Sequence, residues 1–244
     1  MIRNFLITGD THGVFEPRLQ SIADKKLYKP NETAIVILGD SGILYYGGKR
    51  EYKIKVELQK TGYIFYLVRG NHEKRPTDIE GMLFEYDGEV NNYVYYEESF
   101  PNIRYLADGE IYNFDGFNCL ILGGAYSIDK EYRLSQGWNW FENEQLSAEE
   151  RRIISNKVKG LSVDFILSHT CPKSFEPTDL FLPFIDQSKV DKSMEIWLDE
   201  IKDIVNWKIY LFGHFHKDRI ERECVEQFYF SVENIQDIWN RWNI

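Results

Sequence analysis

The sequence predicts an α/β layered domain, and three observations carry that reading. Short apolar runs of four to six residues recur along the chain, they end in polar or glycine-containing turns, and stretches with helical spacing separate them. Runs that are apolar and rich in β-branched or aromatic residues fit strands buried on both faces, and strands alternating with helices build layered sheets. The 244 residues, 43% apolar and 28% charged, match a folded globular protein with a sizeable core. No linker, internal repeat or low-complexity stretch interrupts them, so residues 1–244 read as one domain.

Phe5-Leu6-Ile7-Thr8 is the first strand, running straight into Gly9-Asp10, and Val14 to Asp24 is the helix that follows. Ala34 to Leu38 is the second strand, Arg50 to Thr61 a helix, and Tyr63 to Val68 the third strand. The segment 75–115 is the least regular, with a Tyr-rich patch at Tyr86, Tyr93, Tyr95 and Tyr96, and reads as an insertion over one face. Asn118 to Leu122 resumes the strand pattern. Ser147 to Lys159 is a helix opened by Ser147-Ala148-Glu149-Glu150, the pattern of a capping box. Val163 to Leu167 is a strand. Lys192 to Val205 is a helix with Met194, Ile196, Trp197, Ile201, Ile204 and Val205 at helical spacing, and Lys208 to Phe212 is the last central strand. Arg219 to Arg222 and Phe228 to Val232 lie close enough in sequence to form a hairpin at a sheet edge.

Lys and Arg total 29 against 39 Asp and Glu, a formal charge of −10. That balance argues against gripping long duplex nucleic acid by phosphate neutralisation and leaves open a small anion held by bound metal. Cys119, Cys171 and Cys224 are scattered and odd in number, which fits neither a disulfide framework nor a Cys-x-x-Cys zinc site, so a reducing cytoplasm is the expected setting. The N-terminus lacks a secretory pattern, and no apolar run approaches the roughly 18 residues of a membrane span, so no membrane partner is expected.

All five histidines, His12, His72, His169, His214 and His216, fall just after a predicted strand. In open α/β sheets ligands bind beyond the carboxyl ends of the strands, so residues following five strands can converge on one site. Asp10-Thr11-His12 follows the first strand, Gly39-Asp40 the second, Gly70-Asn71-His72-Glu73 the third, Ser168-His169 a later one and Gly213-His214-Phe215-His216 the last. The Asp-x-His and His-x-His spacings put flanking side chains on one side of an extended backbone, where each pair reaches one point. Imidazole with carboxylate suits zinc, iron, manganese or nickel better than calcium or magnesium.

These five blocks, in this order, resemble the calcineurin-like metallophosphoesterases, over the chain from Ile2 to about His216. The resemblance implies a four-layered sandwich of two β-sheets flanked by helices. It implies one metal held by Asp10, His12, Asp40 and His216 and a second by Asp40, Asn71, His169 and His214, with Asp40 shared. Manganese is the expected metal, with iron, zinc or nickel as alternatives. Two ions roughly 3.5–4 Å apart can share a hydroxide that attacks phosphorus in line, so no protein nucleophile is required. His72, beside Asn71 but outside both ligand sets, is the implied general acid, and an imidazole titrates near working pH. Its alternative role is to hydrogen-bond a phosphate oxygen or to orient Asp10.

The expected substrate is a compact phosphomonoester or phosphodiester, such as a nucleotide or short oligonucleotide. The Asp-Arg-Gly of many protein phosphatases in that family is missing here, where the chain reads Gly39-Asp40-Ser41-Gly42. The stretch Gly123 to Arg133, followed by Trp138, Trp140 and Glu142, resembles a segment of small bacterial and phage members, and Arg133 is the candidate replacement contact to phosphate, a guanidinium being able to fork onto two oxygens. Trp138, Trp140 and the tyrosine patch read first as packing. The alternative function is a non-catalytic interaction module on the same fold. Metal-dependent amide hydrolysis lacks its His-Glu-x-x-His helix, because Lys74, Arg75 and Pro76 follow His72-Glu73.

Overall fold

Every residue from Thr33 to Leu38 and from Phe165 to Ser168 is buried, as an apolar run must be when both faces of its sheet are covered. The computed structural model describes residues 1–242. Its elements run β1 (Asn4–Thr8), α1 (Glu16–Asp24), β2 (Thr33–Leu38), α2 (Gly48–Thr61), β3 (Ile64–Val68), β4 (Met82–Asp87), β5 (Asn92–Glu97), β6 (Ile103–Tyr105), β7 (Ile111–Phe114) and β8 (Phe117–Leu122). They continue through α3 (Lys130–Ser135), α4 (Ala148–Val158), β9 (Phe165–Ser168), α5 (Ser193–Ile204), β10 (Ile209–Phe212), β11 (Arg219–Arg222), β12 (Val225–Gln227), β13 (Glu233–Asn234) and α6 (Ile235–Arg241). Among the described residues, no helix is long and apolar enough to cross a membrane.

A seven-stranded sheet has the order β13-β1-β2-β3-β6-β5-β4 and a six-stranded sheet the order β11-β12-β10-β9-β8-β7. Strands β1, β2, β3 and β6 are parallel, as are β12, β10, β9 and β8. Side chains alternate between two cores, as a period of two requires. Phe5, Ile7, Ala34, Val36 and Leu38 point into the same cluster as Cys119, Ile121, Phe165, Leu167 and Leu211, which is the space between the sheets. Their neighbours Leu6, Ile35 and Ile37 join Phe15, Ile22 and Leu58, under α1 and α2. Leu120, Ile166, Tyr210 and Phe212 join Ile154, Trp197 and Ile201, under α4 and α5. The layers are therefore helix, sheet, sheet and helix, the sandwich that the family resemblance implied.

Helix α4 begins with the capping box read from the sequence: Ser147 Oγ accepts from Glu150 N and Ser147 N donates to Glu150 Oε2. Two expectations change. The segment 75–115 is not a layer over one face, because β4, β5 and β6 extend the first sheet and β7 edges the second. The terminal hairpin pairs β11 with Val225–Gln227 rather than with 228–232. There the Asp218 carboxylate accepts the backbone N–H groups of Tyr229, Phe230 and Ser231 and bends the chain out of the sheet.

Glu195 on α5 is buried at 4% exposure and accepts from Thr170 Oγ1 at 2.9 Å. Its Oε2 has no hydrogen-bond partner among the described residues. Burial pushes its pKa from 4.5 up to about 6. A raised carboxylate pKa means that the folded chain keeps a proton the unfolded chain has lost, so stability falls as pH rises from 4.5 through 6. Glu195→Gln should therefore be more stable than the parent at pH 8, by about 2 kcal/mol, with no gain at pH 4. Denaturant melts at the two pH values check this.

Candidate metal centre

The parallel strands of both sheets end at the same edge of the sandwich. Asp10 lies just past β1, Asp40 past β2, Asn71 past β3, His169 past β9 and His214 past β10. To bring the side chains inward, the backbone turns left-handed at His12 (φ 46), Asp40 (φ 47), His214 (φ 68) and His216 (φ 53), a conformation that Asp and His tolerate better than most residues. Convergence thus comes from tight turns and not from the extended Asp-x-His and His-x-His geometry expected above. Two glycines make room. A Cβ on Gly39, itself at φ 92, would fall 2.0 Å from His169 Nδ1, and one on Gly70 would fall 2.0 Å from Asp40 Oδ1.

The two carboxylates are held alike. Asp10 Oδ1 accepts the backbone N–H of His214 and Asp40 Oδ1 that of His72, both at 2.9 Å. The second oxygens face imidazoles. Asp10 Oδ2 is 3.2 Å from His216 Nε2 and 3.9 Å from His12 Nε2, yet this buried atom has no hydrogen-bond partner among the described residues. Asp40 Oδ2 is 3.9 Å from His72 Nε2, and its Oδ1 is also 3.6 Å from His169 Nε2. Burial opposes charge on both carboxyls, but the imidazoles outweigh it: His216 and His169 around Asp10, and His72, His169 and His12 around Asp40, hold them below the ordinary carboxylate range. His214 is pushed down to about 3 by burial and by the neighbouring His169, which leaves it a neutral lone-pair donor.

Hydrogen-bond bookkeeping on the other side points to a cation. His169 Nδ1 lies 2.8 Å from the Leu38 carbonyl, an acceptor only, so Nδ1 carries a proton and Nε2 is the atom left to take a second proton or a metal. Asn71 is oriented by Ser127, whose Oγ donates to Glu144 Oε2 at 2.5 Å and so accepts from Asn71 Nδ2 at 2.9 Å. That fixes Asn71 Oδ1 towards His169 Nε2, 2.8 Å away. That contact needs a positive charge between or beside the two atoms, a proton on Nε2 or a metal ion in its place. His12 Nε2 and His216 Nε2 also meet, at 3.0 Å. The trios Asp10, His12, His216; His12, Asp40, His72; and Asp10, Asp40, His169 each keep one ligand atom per residue within 4.8 Å of one another. Carboxylate with imidazole is a donor set for divalent transition metals.

All the residues expected at the metals sit in or beside this cluster, but His214 and His216 part company. His216 faces Asp10 and His12, whereas the His214 ring packs on His169 with centroids 4.9 Å apart. His72 also comes within ligand distance of Asp40 and His12, closer than a residue outside both ligand sets need be. Arg133 requires a correction. It has no exposed surface, its Nε and Nη2 both donate to the Asn139 carbonyl, and its Nη1 donates to Ser127 Oγ. It therefore reaches the cluster through Ser127 and Asn71, with no exposed donor for a phosphate. Sequence reading also passed over Ser127, Glu144 and the role of Glu73, which accepts from Gly70 N and Ser41 Oγ below Asp40. The signal for Ser127 and Glu144 was slight: two ordinary polar residues 17 positions apart that meet only in the fold.

Two cavities open beside the cluster. One, of about 580 Å³, has Asp40, Asn71, His214 and His216 on one side and Phe181 and Phe184 on the other. The second, of about 550 Å³, is lined by His12, Tyr45, Tyr46, Arg50 and Trp138. Trp138 thus borders the site rather than packing away from it, while the tyrosine patch lies on the β4–β5 hairpin at the far edge of its sheet. A wider cleft between Arg75 and Trp140, about 920 Å³, touches none of the cluster and its size alone does not make it a site.

The model of the calcineurin-like phosphoesterase family matches residues 3–218. Comparison with curated proteins finds no match. One solved crystal structure aligns over 97% of this chain and 96% of its own at 14% identity, with a TM-score of 0.47.

The Ser127 hydroxyl should matter to metal binding although it touches no metal. Ser127→Ala frees Asn71 to rotate and should weaken divalent-metal binding by about tenfold or more, with a loss of about 1–3 kcal/mol in metal-free stability because Glu144 and Arg133 also lose a partner. Calorimetric titration of metal into the apo variant checks this, and an unchanged affinity would remove the orienting role.

Proposed function

The chain belongs to the calcineurin-like phosphoesterase family, and on that premise we propose that it hydrolyses a compact phosphoester with two divalent metals. Asp10, His12, Asp40 and His216 hold one ion and Asp40, Asn71, His169 and His214 the other, with manganese the first choice. The observation that carries this reading is the convergence of two buried carboxylates with the imidazoles of His12, His72, His169 and His216, their ligand atoms within 4.8 Å of one another in each trio, and Asn71 Oδ1 beside His169 Nε2. When bound, the ions would lower the pKa of a coordinated water and oppose the charge of the phosphoryl oxygens.

The chain's own residues do the rest. The Leu38 carbonyl holds His169 in the tautomer whose Nε2 faces the cluster. Tyr46 Oη donates to the His12 carbonyl at 3.0 Å and steadies the turn that carries that ligand. His72 gives its proton to the leaving oxygen. Its ring is part-buried, and burial lowers its pKa against the pull of Asp40, which makes its protonated form a readier donor. An interaction module would have no use for this complete ligand set. Three free cysteines are in keeping with a reducing compartment.

A panel of phosphoesters offered to apo protein reloaded with manganese, iron, zinc, nickel or magnesium tests the proposal directly. Hydrolysis dependent on one of the metals is expected, and inactivity of fully metallated protein on every ester would overturn it. Two variants refine it. Asp40→Ala should lose both ions by elemental analysis, whereas His169→Ala should lose chiefly one. His72→Ala should lower kcat on an alkyl ester by about a hundredfold or more, and far less on a nitrophenyl ester whose leaving oxygen needs little protonation. Equal losses on the two esters would assign His72 to binding.

A further inference from the structure

The two cavities beside the cluster share His72 and Asp129 and no other lining residue. Each is large enough for an organic group of its own, since small-molecule pockets begin at about 300 Å³. They differ in chemistry. Around Phe181 and Phe184 the wall is apolar, supplied by the 178–190 segment between β9 and α5, and Phe184 and Leu182 rim it at 77% and 44% exposure. Around Tyr45 and Trp138 the wall is aromatic and polar, with the Arg50 guanidinium stacked 3.4 Å from the centre of the Tyr46 ring.

Charge separates the phosphoester classes. A monoester reaches a site with nearly two negative charges at neutral pH and a diester with one. Among the described residues, the cations lining the two cavities are Lys192, paired with Glu176 at 2.7 Å, Arg133, buried and spent on Asn139 and Ser127, and Arg50, which is exposed. Asp129, at 42% side-chain exposure where the cavities meet, pairs with Arg133 Nη1 at 3.6 Å and so offsets that cation. Beyond the metal ions, the cavity walls thus offer a second phosphoryl charge little compensation of their own, while a second organic arm meets a ready cavity.

We propose that the substrate is a phosphodiester with two unlike arms, one apolar and lying against Phe181 and Phe184, the other lying against Tyr45, Trp138 and Arg50. The inference rests on the phosphoesterase reading above. Water adds across one P–O bond: the new P–O bond forms, the bond to one arm breaks with its electron pair, and the departing oxygen takes the proton held by His72. The products are a phosphomonoester and an alcohol.

The test compares bis(4-nitrophenyl) phosphate with 4-nitrophenyl phosphate on metal-reloaded protein, and diphenyl phosphate with phenyl phosphate as slowly reacting probes in calorimetric binding. The diester should lead by about tenfold or more in kcat/KM and in affinity, one factor of ten corresponding to about 1.4 kcal/mol. Phe184→Ala and Trp138→Ala, both at exposed positions, should each raise KM for the bis-aryl diester severalfold with metal content unchanged. A monoester cleaved and bound as well as the diester, or variants with parental KM, would overturn the two-armed site. If fully metallated protein cleaves neither ester, the phosphoesterase reading fails, and the binding comparison alone still decides between one arm and two.

Discussion

Asp10 and Asp40 are the costliest groups in the fold, two carboxylates at 1% and 2% exposure between sheets of apolar side chains. Each is tolerated because one oxygen accepts a backbone N–H from another turn, His214 for Asp10 and His72 for Asp40, while the other turns towards imidazoles. The Asp10–His214 link joins the first sheet to the second, so it fixes how the two strand ends meet. Loss of that arrangement would leave buried charge with no partner, a larger penalty than any single contact in the surrounding loops supplies.

The supports reach well beyond the cluster. Arg18 is buried and donates to the Asp10 carbonyl and the Tyr229 carbonyl, both at 2.6 Å, tying the first strand end to the segment after β12. Arg69 donates to Asp108 and to the Glu144 carbonyl, and Glu144 in turn holds Ser127 below Asn71. The −10 chain thus spends its buried arginines on framing the site and leaves the cavities with little positive charge of their own.

Much of this was legible in the sequence for one reason: parallel strands covered on both faces must be apolar throughout, and the turns that follow them must be polar. That contrast located β1, β2, β3, β8, β9 and β10 and the Asp, Asn and His residues after them. The hairpin of β4 and β5 was less visible because its exposed faces carry Phe84, Tyr86 and Tyr93, which break the alternation that marks an edge strand. Arg133 misled because a guanidinium near a phosphate site suggests contact, whereas its environment is decided by Asn139 and Ser127, which no local pattern reveals. The apolar wall at 178–190 was passed over because short 3₁₀ turns carry no periodic signal.

The central claim is that the carboxylate, imidazole and amide donors gathered at Asp10, His12, Asp40, Asn71, His169 and His216 hold divalent cations. Calorimetric titration of manganese into apo protein at neutral pH tests it most directly. The account predicts saturable binding of two ions per chain and a melting temperature that rises with metal concentration. Absence of saturable binding, with an apo protein as stable as the metal-treated one, would contradict it.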